Sequence, residues 1–147
     1  MELQPLIFMV LTLIGAGLTV MVAYGALIRK RDIVLSGLFY YSFLPIIGET
    51  MGMLTTKHSY HLLFIGLFLV QLVLTTLKGV PFDPHDKTLK EYAKRIGGSI
   101  LVINIISAVF VFSIVPTHYP IYIGIFHVII SLSLAYGIAL RLQGKIN

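Results

Sequence analysis

Apolar residues fall in five long blocks along this chain, Leu6–Ile28, Ile33–Leu54, Tyr60–Leu77, Ser99–Pro116 and Tyr119–Leu140, separated by short polar or charged stretches. Each block has about the 17–25 residues that cross a hydrocarbon layer of roughly 30 Å as a helix. Isolated strands would leave backbone groups unpaired in lipid. The pattern therefore predicts an all-α integral membrane protein, a single-domain bundle of five transmembrane helices. The first block follows Met1-Glu2-Leu3-Gln4-Pro5, with no basic segment and no small-residue cleavage site, so it reads as a span and not as a signal peptide.

Inside the blocks, small and polar residues recur at steps of three and four, which places each set on one helical face. The sets are Thr12, Ala16, Thr19, Ala23 and Ala26; Gly37, Tyr41, Pro45, Gly48 or Glu49, and Gly52; Gln71, Thr75 and Lys78; Asn104, Ser107 and Val111; and Gly124, His127, Ser131 and Ala135. Small residues let helices approach closely, and hydroxyls and amides are expected to hydrogen-bond across the contacts.

The charges between the blocks predict an orientation. Arg29, Lys30 and Arg31 follow the first block, Lys78, Lys87, Lys90, Lys94 and Arg95 lie between the third and fourth, and Arg141 and Lys145 follow the fifth. Only Lys57 falls on the other side, so ten of the eleven basic residues share one face. The positive-inside rule makes that face cytosolic, with the N-terminus outside and the C-terminus in the cytosol. An even number of spans would scatter the charges, which supports five independently of hydropathy.

The connection Lys78–Gly98 is the one long loop. Asp83 suits an N-cap, Pro84 the first helical position and Asp86 the third. Leu89, Tyr92, Ala93 and Ile96 then repeat at helical spacing, opposite Lys87, Lys90, Glu91 and Lys94. A short amphipathic helix over about 84–96 is expected on the cytosolic membrane surface, bending into the fourth span at Gly97-Gly98. Lys87, Lys90, Lys94 and Arg95 would offer a docking surface to a partner or to anionic lipid. Thr117-His118, bracketed by Pro116 and Pro120, reads as a tight outer turn.

Composition narrows the picture further. Hydrophobic residues make up 57% and charged residues 12% of the 147, against about 25% charged in a typical soluble domain. Cysteine is absent, which excludes disulfides, thiolate metal sites and cysteine nucleophiles. Tryptophan is also absent, leaving tyrosine to populate the interfaces. The basic residues flank spans and form no stripe on a soluble fold, so no nucleic-acid partner is expected.

Candidate chemistry is confined to a few residues. Glu49 is the only acidic residue, and His127 the only histidine, well inside a span. Counted at 1.5 Å per residue, both lie roughly 7–11 Å below the outer boundary, close enough in depth to meet. Ionisable residues within the membrane are costly and default candidates for function. A Glu49–His127 pair could carry a proton, bind a cation or orient a polar headgroup. Pro45 removes a helix hydrogen bond just before Glu49 and is a candidate kink. Gln71, Asn104, Tyr40 and Tyr41 could extend a polar path from Glu49 towards Lys78. His58, His61 and His118 form a weak set of metal or haem ligands, without a standard zinc spacing; no cofactor is otherwise expected.

Three roles fit this reading. The first is a small polytopic subunit of a larger membrane complex, held in the lipid bilayer beside other membrane subunits. The second is a homo-oligomeric proton- or cation-coupled transporter or channel using Glu49 and His127. The third is a membrane enzyme or a protein binding haem, quinone or lipid. The expected location is the cytoplasmic membrane of a prokaryote.

Overall fold

The structure, a computed structural model, describes residues 3–81, 83, 85–113 and 119–144. Pro84, Pro116, Thr117, His118 and Lys145 therefore lie outside the described residues, and with them the expected outer turn.

The described residues form five helices and no strand: α1 (Leu3–Leu27), α2 (Arg31–Thr56), α3 (Tyr60–Thr75), α4 (Lys87–Ser113) and α5 (Ile121–Leu142), with a 3₁₀ turn at Thr76–Gly79 after α3. All five elements are long and apolar enough to cross a membrane, the third when its 3₁₀ turn is included. The helices follow the apolar blocks because uninterrupted aliphatic residues bury backbone polar groups only by pairing them within the segment.

The connections explain where the helices stop. After α1, the Lys30 amide donates to the Gly25 carbonyl at 2.8 Å and the Arg29 amide to that of Ala26 at 3.2 Å, with Arg29 in the left-handed region at φ 61°. This is the double closure that satisfies orphan carbonyls at a helix C-terminus. After α2, Lys57 turns the chain with φ 59° and donates to the Met53 carbonyl at 3.1 Å. Only residues 57–59 separate α2 from α3, so these two helices form a tight antiparallel hairpin.

Each helix packs on the next, and α5 closes on α1, giving a ring of five. The interior contains Val22, Leu38, Tyr41, Phe64, Phe68, Ile100, Ile103, Ile130 and Leu134. Contact between α1 and α2 depends on Gly37, where a β-carbon would lie 2.7 Å from Cγ2 of Val22.

Two features differ from the expected organisation. Residues 87–96 are not a separate helix, because α4 runs unbroken through Gly97 and Gly98 to Ser113. The N-cap is Asp86 and not Asp83: Asp86 Oδ1 accepts the amides of Thr88 at 2.8 Å and Leu89 at 3.2 Å. Asp83 instead accepts the amide of His85 at 2.8 Å in a local turn. A carboxylate on the second and third amides satisfies two of the four orphan donors, which is why α4 begins there. Helix α2 also continues through Pro45 without a break.

Candidate functional site

Glu49 lies seven residues before the end of α2 and is 8% exposed. Glu49, Gly52 and Thr56 are three and four residues apart, so they share one face of α2, the face that receives the first turn of α3. His61 fills that position. Its Nδ1 is 2.6 Å from Glu49 Oε2, and its Nε2 is 2.8 Å from Thr56 Oγ1. Gly52 makes this possible, since a β-carbon there would lie 2.5 Å from Cε1 of the His61 ring. Tyr119, just before α5, donates its hydroxyl to both carboxylate oxygens, at 2.7 and 2.8 Å. The expected Glu49–His127 pair does not form.

Proton counting constrains this cluster. Thr56 has one hydroxyl proton and two neighbours, the Gly52 carbonyl at 2.9 Å and His61 Nε2 at 2.8 Å. With that proton on the carbonyl, Nε2 must carry its own hydrogen, and one further proton bridges Nδ1 and Glu49, so the pair is neutral in sum. With the Thr56 proton turned to Nε2, the ring is a neutral Nδ1–H donor to a carboxylate, and the pair carries one negative charge. The two arrangements satisfy every group and differ by one proton and one hydroxyl rotation.

His127 belongs to a second cluster, deeper in the bundle. Its Nδ1 is 3.0 Å from Asn104 Oδ1, Asn104 Nδ2 donates to Gln71 Oε1 at 2.8 Å, and Gln71 Nε2 donates to Ser42 Oγ at 3.1 Å. Ser42 in turn donates to the Leu38 carbonyl at 2.8 Å. The chain links α5, α4, α3 and α2 in ring order, and its four side chains are 0–3% exposed. Asn104 spends its second donor hydrogen on the Ile100 carbonyl at 2.9 Å, so its Oδ1 acts as an acceptor and His127 carries its proton on Nδ1. The edge of Tyr41 and the ring of Phe68 pack against that imidazole, each with centroids 5.6 Å away.

Among the described residues no hydrogen bond joins the two clusters. Ser42 and Glu49 are seven residues apart on α2, roughly 10 Å along the axis. Buried Tyr41, Phe64 and Phe68 occupy the bundle interior here. Among the described residues, no continuous hydrogen-bonded path therefore runs from Glu49 to Lys78. Tyr40 is 52% exposed, and with Phe39 it receives the Lys78 ammonium over its ring, 3.9 Å from Phe39 and 4.7 Å from Tyr40. Three of the expected hydroxyls depart from expectation: Thr19, Thr75 and Ser107 bond back to their own helix carbonyls at 2.8–2.9 Å. The hydroxyls that do bond between elements are those of Thr12, Ser42, Thr56 and Tyr119, beside the amides of Gln71 and Asn104.

Glu49, His61, Tyr119 and His127 all line one cavity of about 530 Å³ between α1, α2, α3 and α5, with Val111 of α4 also in its wall. Its remaining wall is largely aliphatic and aromatic, with Leu44, Phe64 and Phe126 among the residues, and Pro45 and Gly48 on the α2 side. Tyr122, which accepts a bond from Thr12 at 3.3 Å, also borders it. A mostly apolar cavity with a few converging polar groups is the usual form of a small-molecule site.

Metal or haem ligation would have to displace existing contacts, because both ring nitrogens of His61 are engaged. His58 stacks on Tyr60 with centroids 5.4 Å apart, and among the described residues no three histidine or acidic side chains converge. On α4, Lys87, Lys90 and Arg95 are exposed and Lys94 pairs with Glu91 at 2.8 Å. The sequence reading passed over Tyr119, Thr56 and Ser42. The Glu49, Gly52, Thr56 spacing and the three-residue α2–α3 connection are the signals that point to His61 and Thr56; nothing comparable marks Tyr119. Comparison with family models, with curated proteins and with solved structures finds no significant match to this chain.

Proposed function

We propose that this chain is a five-span integral membrane protein, with its N-terminus outside and its basic end in the cytosol, that binds a small lipid-soluble molecule in the outer cavity and exchanges a proton with it at Glu49. The observation that carries the reading is the Glu49–His61–Tyr119 cluster on the wall of a largely apolar 530 Å³ cavity. Its partners leave the cluster two satisfied arrangements one proton apart. The ligand class that matches the wall is an apolar molecule with a hydrogen-bonding or cationic head.

Membrane insertion is supported by the surface. Leu13, Val20, Leu27, Ile121 and Leu132 are 64–69% exposed, and no more than 33% of any span is buried within the bundle. A single helix ring has too little interior to cover that much apolar area. A through-going ion channel fits less well, because among the described residues no hydrogen bond links the Glu49 cluster to the amide chain and the cavity they share has a largely apolar wall. The test is extraction of purified protein followed by mass spectrometry of small molecules. Wild type is expected to retain an apolar ligand that Glu49→Gln loses; equal retention by both defeats the reading.

A subunit role in a larger membrane complex is the second reading. It is favoured by the groove between α3 and α4, where Gly66 and Gly98 lie in the wall and a β-carbon on either would meet nothing within 4 Å. Such a surface suits a helix of another chain. Co-purification of a membrane partner that Gly66→Leu releases would support it, and a monomer without partners in mild detergent would remove it.

A further inference from the structure

At the end of the bundle opposite Glu49 lies a second cavity, of about 350 Å³, to which α1, α2, α4, α5 and the 3₁₀ turn all contribute. It shares no lining residue with the outer cavity. Among the described residues five cationic side chains border it, Arg29, Lys30, Arg31, Lys94 and Arg141, and no carboxylate side chain does. Arg31 pairs with Asp32 at 3.1 Å and Lys94 with Glu91 at 2.8 Å. Arg29 and Lys30 have no carboxylate partner among the described residues, so the rim keeps a positive excess there. The nearby Asp83 and Asp86 are engaged by backbone amides of their own segment.

The inner wall has the opposite character. Leu35, Ile96, Ile100, Leu134 and Ile138 line it, with Ser133 as a minor polar element. Arg31 also donates to the Val80 carbonyl at 2.7 Å, tying the start of α2 to the segment after the 3₁₀ turn and holding the rim together. A site with cations at its mouth and hydrocarbon in its depth calls for a ligand built the same way. A free phosphate or nucleotide would leave the apolar wall wet, and a zwitterionic lipid would leave the positive excess unanswered.

We propose that this cavity holds one anionic phospholipid, its phosphate at Arg29 and Lys30 and part of an acyl chain against Leu134 and Ile138. The proposal rests on the membrane reading above but not on Glu49. Basic pockets between spans attract anionic headgroups, and each nearby cation adds to the attraction. The apolar face of the first turns of α4, expected to lie on the membrane surface, instead contributes Leu89, Ala93 and Ile96 to the cavity wall.

The experiment uses the full chain, delipidated in mild detergent, and native mass spectrometry with titrated phosphatidylglycerol, phosphatidylcholine of the same chains, and glycerol 3-phosphate. Wild type is expected to retain one phosphatidylglycerol, with preference over phosphatidylcholine of at least about tenfold. Glycerol 3-phosphate is expected not to displace it. Lys30→Gln combined with Arg29→Gln should remove most of that preference. Ala93→Phe should weaken retention with every charge in place. Equal retention of the two lipids overturns the proposal, as does displacement by glycerol 3-phosphate at matched concentration. Unchanged preference in the charge variant does the same. If the variants do not fold, the wild-type comparisons alone decide it.

Discussion

The ring of His61 occupies the space that a side chain on Gly52 would need, with Cε1 2.5 Å from the position of the missing β-carbon. This contact lets one histidine bridge Glu49 and Thr56 across the α2–α3 hairpin. Gly52→Ala is expected to push the ring away and destabilise the fold by about 1–3 kcal/mol, the usual cost of overpacking. Gly48→Ala is the control, because nothing lies within 4 Å of a β-carbon there. Thermal or denaturant unfolding in detergent compares the two; equal midpoints would disprove the close approach.

Among the described residues, Tyr119 supplies both hydrogen bonds to the Glu49 carboxylate that do not come from His61. Tyr119→Phe is therefore expected to cost about 1–2 kcal/mol, since the acceptor is left partly unsatisfied within the bundle. Tyr122→Phe, which gives up one long 3.3 Å contact with Thr12, should cost clearly less. Unfolding midpoints in the same reverse order would contradict the geometry.

The amide chain predicts non-additivity. Asn104→Leu strands Gln71 and His127 together, so it should cost about 1–3 kcal/mol. Once Asn104 is gone, Gln71→Leu should cost less than it does in wild type, with a coupling of about 0.6–1.7 kcal/mol, the range of hydrogen bonds between membrane helices. A double-mutant cycle reads this directly, and purely additive effects would show that the 2.8 Å contact carries no energy of its own.

Because the chain lacks cysteine, its orientation is open to single-cysteine labelling. Ser59→Cys, between α2 and α3, is expected to react with a membrane-impermeant maleimide added outside. Lys87→Cys, at the start of α4, is expected to react only after the membrane is opened. Labelling of both from one side would refute the odd-span topology.

Much of the architecture is legible in local order. Five helices, their approximate limits and the gathering of basic residues at one end follow from hydropathy and charge, which are properties of consecutive residues. The start of α4 was legible in kind but not in position: the spacing put Asp83 at the cap and Asp86 inside the first turn, and only the path of the backbone decides that Asp86 meets the amides of Thr88 and Leu89. Gly97-Gly98 suggests a bend, yet packing beside α5 leaves the helix intact, since paired glycines permit a break without requiring one.

The partners of the polar residues are a different matter. Glu49 and His127 have similar depth along their helices, and depth is all that residue counting supplies. Which residues meet depends also on the rotation of each helix and on its place in the ring. The α2–α3 hairpin sets His61 against Glu49, while α5, turned towards α4, sets His127 against Asn104. The sequence by itself determined five apolar helices, their charged end and the short list of residues that lipid would not tolerate unpaired. The tertiary structure alone decided the pairing, because hydrogen bonds require a shared position in three dimensions and periodicity specifies only one face of one helix.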